Sequence, residues 1–145
     1  MHPYPHVYKA SASAAHEGSI AIDSPGLARI ESAAPAEFDG PGDLWSPETM
    51  LCAAVADCFI LTFRAIARPS GLAWSGLEAR VEGVLEKAPG GTRFTRYTTH
   101  ATLTLPAASD RAKAQALLEK AERLCLVSNS LNGERSLAVE IRESG

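Results

Sequence analysis

The chain has 145 residues, 46% of them hydrophobic, with 14 Lys and Arg against 17 Asp and Glu and a formal net charge of −3. That is the size of one ordinary domain with enough apolar side chains for a sizeable core, and with no basic cluster it argues against nucleic acid as a partner. No basic stretch followed by an apolar run suggests a signal peptide, and an odd thiol count, three cysteines, points to a reducing compartment, the cytoplasm, rather than a disulfide framework.

In chain order, Met1 to Pro5 reads as a loose end. Val7 to Ala14, Ser19 to Ile22 and Leu27 to Ser32 read as short strands, broken at Glu17-Gly18 and Ser24-Pro25-Gly26. Pro35 to Asp43 is a glycine- and proline-bearing loop. Then comes the stretch that organises the chain, Ser46 to Arg68, reading SPETMLCAAVADCFILTFRAIAR. Ser46 suits an N-cap and Pro47 the first helical position, where a missing N–H costs nothing. Between Met50 and Phe63 only Asp57 and Thr62 are clearly polar, so the helix is expected to be buried on most sides, by a wrapping sheet or a second subunit. Its length and its acid argue against a membrane span. Pro69-Ser70-Gly71 is expected to end it.

Leu77, Ala79, Val81, Gly83 and Leu85 alternate with Glu78, Arg80, Glu82, Val84 and Glu86, the pattern of a half-buried strand. A turn at Ala88-Pro89-Gly90-Gly91 leads to a partner strand with Tyr97, Thr99, Ala101, Leu103 and Leu105 on one face. Phe94 is out of phase, which predicts either a bulge or a late start of the strand. Ser109 is the expected cap of a second helix, whose apolar stripe is Ala114, Leu117, Leu118, Ala121, Leu124 and Cys125. Leu137, Val139 and Ile141 mark a last strand. Strands and helices are segregated, which predicts an α+β fold with antiparallel pairing, and no repeat or long linker divides it, so residues 1–145 are read as a single domain.

The thiols are the main candidates for chemistry. Cys58 and Cys125 sit on the apolar surfaces of two helices, and if the helices pack together the sulfurs can approach. Cys52 lies on a different face and reads as a small core side chain. His2, His6, His16 and His100 have no metal-ligand spacing to a cysteine, and no CxxC, GxSxG or Gly-rich phosphate loop is present.

The stretch Ser46-Pro47-Glu48-Thr49-Met50-Leu51, followed by Ala56-Asp57-Cys58-Phe59, resembles the PE-x-L…A-x-C-F pattern of the OsmC/Ohr family, the osmotically inducible and organic-hydroperoxide-resistance proteins. Cys125-Leu126-Val127-Ser128 resembles its second motif, C-P-[VY]-S, with leucine in place of the proline. The resemblance runs from about Leu44 to the C-terminus. It implies an OsmC-like α+β fold, antiparallel sheets wrapped around two central helices in an intertwined homodimer. It implies a thiol-dependent peroxidase that needs no cofactor, with Cys58 as the peroxidatic and Cys125 as the resolving cysteine. The implied partners are an alkyl or lipid hydroperoxide and a dithiol reductant such as a lipoyl protein, with no nucleic acid or membrane. Glu48 matches the acid that orients an arginine near the thiol, and Arg29 is the upstream candidate for that arginine. The alternatives are an apolar-ligand-binding module with spectator thiols, or other thiol chemistry on the same fold.

Overall fold

The computed structural model describes residues 1–144. The chain forms two compact units, Met1–Met50 and Leu51–Gly145. In the first, β1 (Ser11–Ser13), β2 (Ile20–Asp23) and β3 (Ile30–Ser32) make an antiparallel sheet in that order. The first and third strands are shorter than the sequence predicts, and the second keeps its expected length, shifted by one residue. Val7 to Ala10 and Leu27 to Arg29 are exposed and stay outside the ladder, because a half-apolar run with nothing to cover it gains little by pairing. The breaks fall where expected, with Gly18 at φ 96° and Gly26 at φ 77°, conformations that favour glycine. The following loop holds a single 3₁₀ turn, Ala36–Phe38.

The helix α1 spans Pro47–Ser70. Its start is a reciprocal cap: Ser46 Oγ accepts from Thr49 N–H at 3.1 Å, and Thr49 Oγ1 accepts from Ser46 N–H at 2.9 Å. Threonine here does what Glu does in a capping box. Pro69 falls inside the last turn instead of ending the helix; Gly71, at φ 73°, ends it. At 24 residues α1 is therefore long and apolar enough to cross a membrane by length and composition, which corrects the expectation that it is too short. One stripe of it, Val55, Phe59, Phe63 and Ala67, is buried at a spacing of four. Asp57, Leu61, Arg64 and Arg68 on other faces are exposed. Burial on most sides is thus not reached in one chain, which fully buries only that stripe.

In the second unit β4 (Gly76–Ala88) and β5 (Gly91–Pro106) form the predicted hairpin. Val84 pairs with Arg96 and Leu85 with Phe94, so Thr95 is the extra residue of a bulge, and this accounts for the phase of Phe94. After α2 (Arg111–Leu124) and the short α3 (Leu126–Asn129), β6 (Glu134–Ser144) joins β5. This pairing is parallel, against the antiparallel expectation that the other three pairings meet. The helices between β5 and β6 form a crossover that brings the chain back to the same end of the sheet.

The cap of α2 is Asp110, which accepts from Lys113 N–H at 2.9 Å, and not Ser109. Ala114, Leu118 and Ala121 are buried and Leu117 partly so, but Leu124 is 45% exposed. The stripe ends early because the backbone leaves the helix at Cys125 (φ −60°, ψ 110°). The core is the buried stripe of α1 with Ala101, Leu103 and Leu105 of β5 and the α2 stripe. Phe63 meets Trp74 edge-to-face at 5.3 Å.

Candidate functional site

Both expected cysteines of the pair lie in the second unit, and the fold brings them together. Cys58 is half-buried on α1, one position before the core residue Phe59. Cys125 is 1% exposed, in the break between α2 and α3, and its Sγ lies 3.9 Å from the Val55 carbonyl of α1. Each thiol is among the groups that shift the other, and both are free.

Their environments pull them in opposite directions. Burial pushes the Cys58 thiol up, but Val127 N–H, the Cys125 thiol, the Thr62 hydroxyl and Leu126 N–H outweigh it and hold the group below its ordinary value. Burial pushes the Cys125 thiol up; the Ser128 hydroxyl and N–H oppose this, and the neighbouring Cys58 adds to it, so Cys125 stays above the ordinary value. Cys58 is thus the more readily ionised of the two thiols. Asp57, the sequence neighbour of Cys58, is exposed and is not among the groups that shift either thiol.

The donors at Cys58 were not foreseen. Leu126 and Val127 act through backbone N–H groups of the first turn of α3, which carry no side-chain signature. The helical turn has no side-chain cap, so nothing local competes for them. The leucine in place of proline could have signalled this, because a proline has no N–H to offer. Ser128 is 7% exposed and holds Cys125.

Cys52 is placed as expected, on another face of α1. It packs under β4, where a Cβ on Gly83 would come within 3.0 Å of its sulfur, and burial pushes its thiol up against one opposing backbone contact from Gly83.

Glu48 stands in the first turn of α1, and its Oε2 is buried with no hydrogen-bond partner among the described residues. Arg29 does not meet it. The Arg29 guanidinium binds Asp23 through Nε at 2.8 Å and Nη2 at 2.9 Å, so the expected Arg29–Glu48 pair is replaced by a local one six residues apart. A bidentate partner close in sequence costs less ordering than a distant one.

The OsmC-like protein family model matches residues 40–141. An uncharacterized protein of Bacillus subtilis strain 168, YmaD, is 32% identical over 109 residues, covering 73% of each chain. Among solved structures, an OsmC-like protein of unknown function from Vibrio cholerae superposes with a TM-score of 0.86 at 16% identity, over 94% of this chain and 100% of that one. An organic hydroperoxide resistance protein OsmC from Legionella pneumophila gives 0.75 at 23% identity, over 97% and 99% of the two chains. The organic hydroperoxide resistance protein OhrB of Bacillus subtilis gives 0.67 at 23%, over 94% and 98%. With its two sheets, its long α1 and a matching stretch that holds both cysteines, this chain belongs to the OsmC-like protein family.

Proposed function

We propose that this protein is a thiol-dependent peroxidase that reduces organic hydroperoxides, with Cys58 as the attacking and Cys125 as the resolving cysteine. The observation that carries the reading is the opposite poise of two thiols that influence each other, one lowered and one raised. The hydroperoxide resistance named for two structural neighbours supports the substrate class. The Cys58 thiolate attacks one peroxide oxygen; an S–O bond forms, the O–O bond breaks, and the departing alkoxide takes a proton to leave as the alcohol. Cys58 is then an uncharged sulfenic acid. One of the causes that raises the Cys125 thiol, its negative neighbour, has gone. Cys125 can now ionise and attack the Cys58 sulfur; an S–S bond forms and the hydroxyl leaves as water. A dithiol of the cytoplasm returns the pair to thiols.

The active unit is a homodimer. Apolar side chains on the free faces of α1, among them Leu61 at 53% exposure, support a second copy covering the helix. The orphaned Oε2 of Glu48 supports a role as acceptor for a cationic group that assembly brings in, since a buried carboxylate oxygen without a donor is costly. Sedimentation equilibrium then gives about twice the 15.3 kDa chain mass.

The test is one equivalent of an alkyl hydroperoxide followed by intact-mass analysis. The expected product has lost two hydrogens and maps to a Cys58–Cys125 disulfide that a dithiol reverses. Oxygens added to Cys58 with Cys125 still free would remove the two-cysteine mechanism. No reaction at any thiol would favour a ligand-binding module.

A further inference from the structure

Thr62 stands four residues after Cys58 on α1, and its hydroxyl has two acceptors of the same residue in reach. It donates to the Cys58 carbonyl at 2.7 Å and lies 3.9 Å from Cys58 Sγ. We propose that Thr62 is a two-position donor to the reactive sulfur: its hydroxyl rests on the Cys58 carbonyl while Cys58 is a thiol and turns to the sulfur when the thiolate forms. This rests on the reading of Cys58 as the nucleophile and adds to it the group that follows the charge.

Three features support the switch. The first is proton bookkeeping. In the thiol state the hydroxyl proton is engaged with the carbonyl, so only the thiol proton can bridge sulfur and Oγ1. After ionisation the sulfur can only accept, and the hydroxyl is the one side chain of the pair with a proton to give. The second is that the carbonyl is not stranded when the hydroxyl leaves. Within α1 it keeps the i→i−4 bond from Thr62 N–H, so the hydroxyl bond there is a supplementary one of the kind threonine makes in helix interiors. The third is the relative strength of the two positions. A hydrogen bond to an ionised acceptor is roughly twice as strong as one between neutral groups, so the charge draws the hydroxyl across. The hydroxyl closes the remaining gap from 3.9 Å by a rotation at the threonine. Consistent with this, the Thr62 hydroxyl is among the groups that lower the Cys58 thiol.

The test is the pH profile of Cys58 alkylation by iodoacetamide, followed by peptide mapping in the intact protein without peroxide. Thr62→Val keeps the β-branched shape and removes the hydroxyl; Thr62→Ala removes it in a residue of higher helix propensity, should valine disturb the packing. Both are expected to move the Cys58 midpoint to higher pH, so that alkylation at a fixed pH below it slows roughly threefold to tenfold, the change for half to one unit of thiol ionisation. Thr62→Ser, which keeps the hydroxyl, is expected to retain the parent profile. A parent-like midpoint in both the valine and alanine variants, or a serine variant shifted as far as they are, overturns the proposal. Because no peroxide is present, these outcomes do not depend on peroxidase activity. Failure of the peroxidase reading would show instead as an unreactive parent protein in the hydroperoxide experiment.

Discussion

Cys52 and Cys58 are six residues apart on the same helix, yet their surroundings drive them in opposite directions. Cys52 faces β4, where Gly83 leaves just enough room for the sulfur and where burial raises the thiol. Cys58 faces the break between α2 and α3, where backbone N–H groups, a hydroxyl and a second thiol lower it in spite of burial. Both are partly buried. The difference lies in the donors each one meets, so burial by itself does not set the direction in which a thiol shifts.

The comparison breaks most decisively at the sulfurs themselves. Cys58→Ser is expected to abolish hydroperoxide consumption, because a serine hydroxyl stays protonated at neutral pH, whereas Cys52→Ser retains most turnover. Peroxide-loss assays on the two variants check this, and the reverse pattern would exchange their roles. Next in size is Cys125→Ser. With no resolving thiol, Cys58 is expected to stop at sulfenic acid and, under excess oxidant, to go on irreversibly to sulfinic and sulfonic acids, read as added oxygens in the intact mass.

The donors can be removed one at a time. Leu126 is 72% exposed and opens α3, and Cys125 before it is already extended at ψ 110°, so Leu126→Pro fits the backbone. It takes away an N–H donor worth about 0.5–1.5 kcal/mol, and the Cys58 midpoint is expected to rise by about half to one pH unit. Stopped-flow alkylation against pH measures the shift. The sign follows from the mechanism: the thiolate is the reactive form, so raising the midpoint slows the reaction at neutral pH and leaves the rate at high pH unchanged. In the parent protein the same profile is expected to rise first for Cys58, and at higher pH for Cys52 and Cys125.

The smallest chemical effect is expected on the Cys52 side. A Cβ at position 83 would sit 2.9 Å from Phe94 and 3.0 Å from the Cys52 sulfur, so Gly83→Ala overpacks the contact and costs about 1–3 kcal/mol of stability. Denaturant melts record that loss. The alkylation midpoint of Cys58 should not move; a shift there would mean that the two thiols are coupled.

Much of this was legible in the chain itself. Ser46 before a proline and a long apolar run specifies where α1 begins, since a cap needs only one side chain and its own backbone. The period-two alternation around Val81 and Ala101 specifies the hairpin, and the phase of Phe94 its bulge, because pleating ties side-chain direction to sequence parity. The facing of Cys58 and Cys125 follows from two apolar surfaces that each need a partner. Tertiary structure alone decided the rest. The parallel direction of β6 depends on how the crossover returns, and the exposure of Leu124 on where α2 gives way to an extended residue. The capture of Arg29 by Asp23 depends on which carboxylate the folded strands bring nearest. The character of Cys58 is set by N–H groups of Leu126 and Val127, nearly seventy residues away in the chain. Backbone donors are common to every residue but proline, so their aim at a sulfur leaves no mark in composition or periodicity and exists only once the chain has folded.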